Sequence, residues 1–215
     1  MRPVLLDAFC KAGGTTRGYQ LAGFYVVGLD IEPQPHYIGD EFVQADALSY
    51  LATADLSRYD AIHASPPCQH YTVARHIHGG EYPDLIAPVR ELLLACGLPY
   101  VIENVPSAPL IAPLMLCGSM FPGLRVYRHR LFECSWPIGF APAACNHSYS
   151  MPPSKGHYHT LEKQDFITCV GHNFKASDGR IAMNIPWMSR AELSQAIPPA
   201  YCEFIGRALL REIGR

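Results

Sequence analysis

Apolar residues along this chain fall in short continuous runs, separated by glycine turns and by stretches with helical spacing. That is the pattern of strands buried on both faces alternating with helices. Pro3-Val4-Leu5-Leu6-Asp7-Ala8-Phe9 is a run of strand length, followed by Cys10-Lys11-Ala12-Gly13-Gly14-Thr15-Thr16. A helical pattern then covers about 17–22 and stops at Gly23. Val26-Val27-Gly28-Leu29-Asp30 reads as a second strand ending on an acid. Gln44-Ala45-Asp46-Ala47-Leu48 offers another acid after a presumed third strand, and Tyr59-Asp60-Ala61-Ile62-His63-Ala64 supplies a central one. Helical spacing over 85–96, closed by Gly97, precedes the strand Leu98-Pro99-Tyr100-Val101-Ile102-Glu103-Asn104-Val105-Pro106. An amphipathic helix over about 201–213 closes the chain. The order predicts an α/β fold with a doubly wound, Rossmann-like sheet.

Several turns in this pattern carry chemistry. In Ala64-Ser65-Pro66-Pro67-Cys68-Gln69 two prolines fix backbone dihedrals and forbid helix before them, so a rigid turn presents Cys68 at a strand end. In an open α/β sheet that edge is where ligands bind. Strand, glycine turn, helix, strand and acid is the arrangement that holds an adenosine-bearing cofactor. Glycines allow close backbone approach, and Asp30 accepts from ribose hydroxyls. Lys11 stands where a dinucleotide fingerprint has its first glycine, which disfavours NAD. Glu103 in a buried strand calls for a partner or a catalytic role; the alternative is an exposed strand end. Arg125-Val126-Tyr127-Arg128-His129-Arg130-Leu131-Phe132 alternates, so a strand would put Arg128 and Arg130 on one face. They would there meet phosphate or a base carbonyl, or else protect a solvated edge. The polar stretch 69–82, with Arg75, His76, His78 and a Gly79-Gly80 hinge, reads either as a lid or as a solvated loop.

Composition narrows the class. A chain of 215 residues, 49% hydrophobic and 17% charged, can bury one sizeable core. An early acid at Asp7 and the lack of a long apolar run predict a cytoplasmic protein without signal peptide or membrane span. Its eight cysteines are then expected as thiols or ligands rather than disulfides. Cys134, Cys145, His147, His157, His159, Cys169 and His172 are metal-ligand types, but no C-x-x-C pair occurs and no metal is expected. A formal charge of −2 excludes a basic coat, not a locally basic cleft.

With these pieces in order, the chain resembles the cytosine-5 DNA methyltransferase family. Asp7-Ala8-Phe9-Cys10-Lys11-Ala12-Gly13-Gly14 is similar to its S-adenosylmethionine loop, and Ser65-Pro66-Pro67-Cys68-Gln69 to its catalytic Pro-Cys-Gln. Glu103-Asn104-Val105 resembles its Glu-Asn-Val, Arg128-His129-Arg130 its Arg-x-Arg, and Ala196-Ile197-Pro198-Pro199-Ala200 its C-terminal cofactor-side motif. The chain departs from the pattern at Lys11, at Val126 in place of a Gln, and in lacking Gly-Asn before Ile197.

The resemblance implies an S-adenosylmethionine-dependent methyltransferase sheet spanning 1–132 and completed by 185–215, with a small irregular recognition lobe over 133–184. It implies methyl transfer to carbon 5 of cytosine, with Cys68, Glu103, Arg128 and Arg130 as catalytic residues. Pro67, Gln69, Asn104 and Val105 would meet the substrate base. S-adenosylmethionine would lie against Asp7, Phe9, Gly13, Gly14, Asp30 and Ile31, and against Asp46, Ala47 and Pro66. The expected partner is double-stranded DNA, bound by a monomer. His147, Lys155, His157, His159, Lys163, Lys175 and Arg180 would contact phosphate. RNA or a free cytosine nucleotide is the alternative substrate, and an idle nucleic-acid-binding relative the alternative to an enzyme.

Overall fold

The structure, a computed structural model, describes residues 1–71, 83–139, 141–149, 151 and 165–215. Among these, seven strands form one sheet: β1 (Val4–Ala8), β2 (Tyr25–Asp30), β3 (Glu41–Gln44), β4 (Ala61–Ala64), β5 (Tyr100–Asn104), β6 (Leu114–Leu116) and β7 (Arg130–Cys134). Their spatial order is β3-β2-β1-β4-β5-β7-β6. The first five are parallel, and β7 runs antiparallel between β5 and β6. The order reverses between β1 and β4, which opens a crevice at the carboxyl edge of the sheet. The stretch suspected as a lid, with Arg75, His76 and His78, lies largely outside the described residues.

Alternation along each strand sends neighbouring residues to opposite faces. Leu5, Val26, Val101 and Phe132 pack with α1 (Gly14–Ala22) and α6 (Pro199–Glu212), through Tyr19, Tyr201, Ile205 and Leu209. On the other face Leu6, Val27, Ile62 and Ile102 pack with α2 (Ala47–Thr53) and α3 (Ile86–Cys96), through Leu51, Val89 and Leu93. Helix α1 begins at Gly14, three residues before the sequence pattern suggests, because Gly13 (φ 85°) turns the chain straight off the loop. Helix α6 begins at Pro199, where a missing N–H is harmless in a first turn. No helix among the described residues is long and apolar enough to cross a membrane.

The expectation of one strand over 125–132 does not hold. Strand β7 starts at Arg130, and Arg128 lies ahead of it. The segment carrying Arg128 is instead tied to the lobe by the Tyr127 N–H to Ile167 and by the Ile167 N–H to Arg125. The stretch 133–184, expected as a small recognition lobe, starts inside the sheet. Glu133 and Cys134 belong to the sheet. Helices α4 (Ala176–Met183) and α5 (Arg190–Gln195), the latter through Leu193, share a third apolar cluster with Val126 before 133–184 and with Met188 and Ala196 after it. A segment this short buries too little by itself and completes its core from both flanks.

Candidate active site

A cavity of about 530 Å³ opens at the carboxyl edge of β1, β2, β4 and β5. One flank is the loop after β1. There Phe9 (φ 62°) and Lys11 (φ 45°) hold left-handed conformations that residues with side chains rarely adopt. The Lys11 N–H donates to Asp30 Oδ2 at 3.1 Å and the Glu32 N–H to Asp30 Oδ1 at 3.1 Å. Two backbone donors thus orient the Asp30 carboxylate at the cavity wall. Lys11 Nζ stands 3.5 Å from Asp30 and 3.2 Å from Glu32, so the departure from glycine brings a cation beside the acid. Ile31, 63% exposed, and Phe9 line the same flank as apolar plates.

Gly14, Asp46, Ala47 and Pro66 also line the cavity. Asp46 additionally caps α2, accepting from the Ser49 N–H at 2.9 Å. Asp7 and Gly13 do not reach the cavity surface. Asp7 is fully buried and accepts the hydroxyls of Thr15 and Thr16, pinning α1 to the end of β1. Burial pushes its carboxyl up to about 6 against those two donors. Gly13 supplies the turn.

Opposite this flank stand Cys68, Glu103 and Arg130, with Pro67 and Gln69. Glu103 is buried, with Arg130 Nε 3.1 Å from its Oε1 in a contact without hydrogen-bond alignment. Burial raises the Glu103 carboxyl, and Arg130 and the Ser65 hydroxyl oppose it. The Cys68 thiol is likewise pushed up, by burial first and by Glu103, against Arg130. Arg130 stands as a positive neighbour of Cys68, yet burial outweighs it.

Arg128 goes elsewhere. Buried, it donates to the Cys169 carbonyl at 2.7 Å and the Ser194 carbonyl at 2.6 Å, joining the lobe to the sheet. Desolvation lowers its guanidinium to about 9. Asn104 and Val105 also lie off the cavity lining. The Asn104 amide donates to the Pro66 carbonyl at 2.9 Å and so holds the Pro-Pro turn from behind.

A buried polar chain went unnoticed in the sequence. Tyr19 Oη lies 2.9 Å from His63 Nδ1, and His63 Nε2 lies 2.9 Å from Ser65 Oγ, whose hydroxyl bonds Glu103. With Ser65 donating to the carboxylate, His63 carries its proton on Nε2 and accepts from the Tyr19 hydroxyl. Neither His63 in a strand nor Tyr19 in a helix carries a local signal; only the fold brings them into line. Met188, Glu192, Ser194 and Gln195 also close the cavity from the lobe side, beside Ala196 and Ile197 of the C-terminal motif.

No family model matches this chain and no curated protein matches it. Solved structures do. A putative DNA modification methyltransferase encoded within a prophage of E. coli is 14% identical with a TM-score of 0.68, over 99% of this chain and 100% of that one. The S. pombe Dnmt2 methyltransferase is 15% identical with a TM-score of 0.68, each chain covered in full. The Entamoeba histolytica methyltransferase EhMeth is 13% identical with a TM-score of 0.63, again with full coverage of both. At such identities the likeness establishes the fold: this chain is built on the Rossmann-like sheet of those methyltransferases.

Proposed function

We propose that this chain transfers a methyl group from S-adenosylmethionine to carbon 5 of cytosine in DNA, through a covalent bond between Cys68 and carbon 6. The observation that carries the reading is one cavity holding Asp30 on one flank and Cys68, Glu103 and Arg130 on the other. The Asp30 flank fits the cofactor. Its carboxylate, oriented by two backbone donors, accepts from ribose hydroxyls, and Phe9 and Ile31 offer apolar faces to adenine. Bound there, S-adenosylmethionine supplies the methyl group.

Carbon 5 of cytosine is a poor nucleophile until a group adds at carbon 6, and a thiolate is suited to that addition. Of the two thiols that line the cavity, Cys10 is buried in the loop on the Asp30 flank, and Cys68 stands beside Glu103 and Arg130 on a turn that Asn104 braces. Negative charge then builds on the ring. Glu103, whose carboxyl burial raises, donates in its protonated form to ring nitrogen 3. Arg130 holds the base carbonyl and balances charge. Loss of the carbon 5 proton after methylation expels Cys68. Arg128, occupied by two carbonyls, serves to position the Arg130 segment. A stacked base cannot reach this depth, so duplex DNA must present it flipped out. DNA is favoured as substrate by the prophage neighbour described as a DNA modification enzyme.

Labelled methyl transfer to duplex DNA, tRNA and dCMP, followed by nucleoside analysis, tests the assignment. We expect 5-methylcytosine in DNA, loss of transfer by orders of magnitude in Cys68→Ser, and a stable adduct on 5-fluorocytosine DNA with wild type only. Full activity in Cys68→Ser would sink the mechanism, and labelling of tRNA or dCMP alone would move the substrate. Asp30→Ala should weaken S-adenosylmethionine binding by about 1–3 kcal/mol in calorimetry, the scale of a hydrogen bond to a charged group.

A further inference from the structure

Away from the cavity, four ligand-type side chains meet where the end of β6, the residue before β7 and the 141–149 segment come together. Cys117, His129, Cys145 and His147 each offer one ligand atom, and these atoms all lie within 4.8 Å of one another. His129 Nε2 is 3.4 Å from Cys145 Sγ, and Cys117 Sγ is 3.5 Å from His147 Nε2. In a tetrahedral centre with Zn–S about 2.3 Å and Zn–N about 2.0–2.1 Å, a sulfur-to-nitrogen edge spans about 3.5 Å. Both measured edges therefore have the length that a shared zinc ion requires.

We propose that Cys117, His129, Cys145 and His147 bind one zinc ion as a closed structural centre. Two thiols and two imidazoles in a tetrahedron select zinc among the common divalent ions. On binding, both thiols lose their protons to solvent, and the two thiolates balance the ion's charge. The surroundings suit this role. The Ser119 hydroxyl lies 3.4 Å from Cys117 Sγ, to which it donates, and 3.7 Å from Cys145 Sγ, while it accepts the Asn146 N–H at 3.1 Å. The ring of Tyr127 packs 4.3 Å from that of His147.

The segment also needs such a clip. Residues 141–149 form no helix or strand, and all but Pro142 are exposed. Burial there offers little against the entropy of ordering them, and metal binding supplies free energy of folding outright. His129 stands between Arg128 and Arg130, so the ion would brace the residue between the lobe tie and the cavity arginine. The spacing Cys-x11-His-x15-Cys-x-His has no C-x-x-C pair, which is why a reading by spacing passes over it.

Metal analysis of the full chain, purified without chelators from zinc-supplemented cells, tests the site independently of any activity. We expect about one zinc per chain in wild type and in Cys96→Ser, and below about 0.2 in Cys145→Ala and His147→Ala, as a four-ligand site requires. Both variants lie at the surface, and circular dichroism checks that they fold. Should they unfold, cobalt titration of the metal-free wild type still decides, through the visible bands of tetrahedral cobalt and a thiolate-to-cobalt band. Folded wild type with less than about a tenth of a zinc per chain and no cobalt bands would overturn the proposal, as would a Cys117–Cys145 disulfide in the purified protein.

Discussion

The reactive thiol of the proposed mechanism sits in surroundings that pull it two ways. Burial and Glu103 raise the Cys68 thiol, while Arg130 and a backbone donor work against them. It is therefore expected as a thiol in the free protein at neutral pH. Alkylation of Cys68 by iodoacetamide should still be accelerating at about pH 9, since rate follows the thiolate fraction. Arg130→Ala should displace that profile upward, and a plateau below about pH 8 would show that Arg130 wins after all. His63 titrates at the other end of the scale. Burial holds it neutral and lowers it to about 3. Between its unfolded value of about 6.5 and that lowered one, the unfolded chain binds more protons, so His63 makes stability rise with pH there. Asp7, raised to about 6, acts oppositely, since the folded state holds its proton longer and stability falls with rising pH up to about 6. Denaturant melts from pH 4 to 7 should therefore show a shallow slope in wild type. In His63→Gln the His63 contribution is lost, and the slope should turn toward falling stability with rising pH relative to wild type over the same range.

At the scale of elements, the contact of α1 with α6 positions the cavity flank. A Cβ on Gly14 would meet the Ile197 carbonyl oxygen at 2.4 Å, and one on Gly18 the Pro199 oxygen at 2.3 Å. These glycines, one helical turn apart, let the C-terminal motif lie directly on the first helix. Gly18→Ala should cost about 1–3 kcal/mol, the usual scale of overpacking, read as a lowered melting midpoint. An unchanged midpoint would mean that the helices part without penalty. The other side is joined by ions: Arg90 in α3 donates to both oxygens of Glu133 in β7, at 2.8 and 2.7 Å. Glu133 also accepts the Ile111 N–H. Arg90→Met would leave a buried carboxylate without its cation and should cost about 3–5 kcal/mol by equilibrium unfolding.

For the molecule as a whole, the lobe between β7 and α6 is small. A single DNA-reading module buries about 600–1,000 Å² of protein surface, and a lobe of this size reaches only the lower end. The expected result is a short or degenerate target, with affinity drawn mainly from phosphate and falling steeply with salt. Lys175 and Arg180 are exposed on the lobe and suited to that contact. Lys155, His157, His159 and Lys163 lie outside the described residues, and His147 belongs to the proposed zinc centre. Bisulfite sequencing of DNA from expressing cells checks this. Methylation confined to one motif of about six or more base pairs would show a lobe with far more base contacts than its size suggests.

The alternation of buried runs, glycine turns and helical stretches already contained the strands of the parallel sheet, the loop before α1, Asp30 at the end of β2 and Cys68 on its Pro-Pro turn. These are legible because local sterics and two-sided burial act within a few residues. Roles that depend on partners far along the chain were not legible. Arg128 and Arg130 look equivalent in sequence, yet one bonds carbonyls of the lobe and the other faces Glu103, because the strand begins between them. The Tyr19–His63–Ser65 chain and the Cys117, His129, Cys145 and His147 cluster join residues from separate elements. Which groups meet is decided only when the elements pack: in the dry interior buried donors and acceptors must find one another, and at the surface the ends of β6 and β7 set which ligand-type side chains stand together.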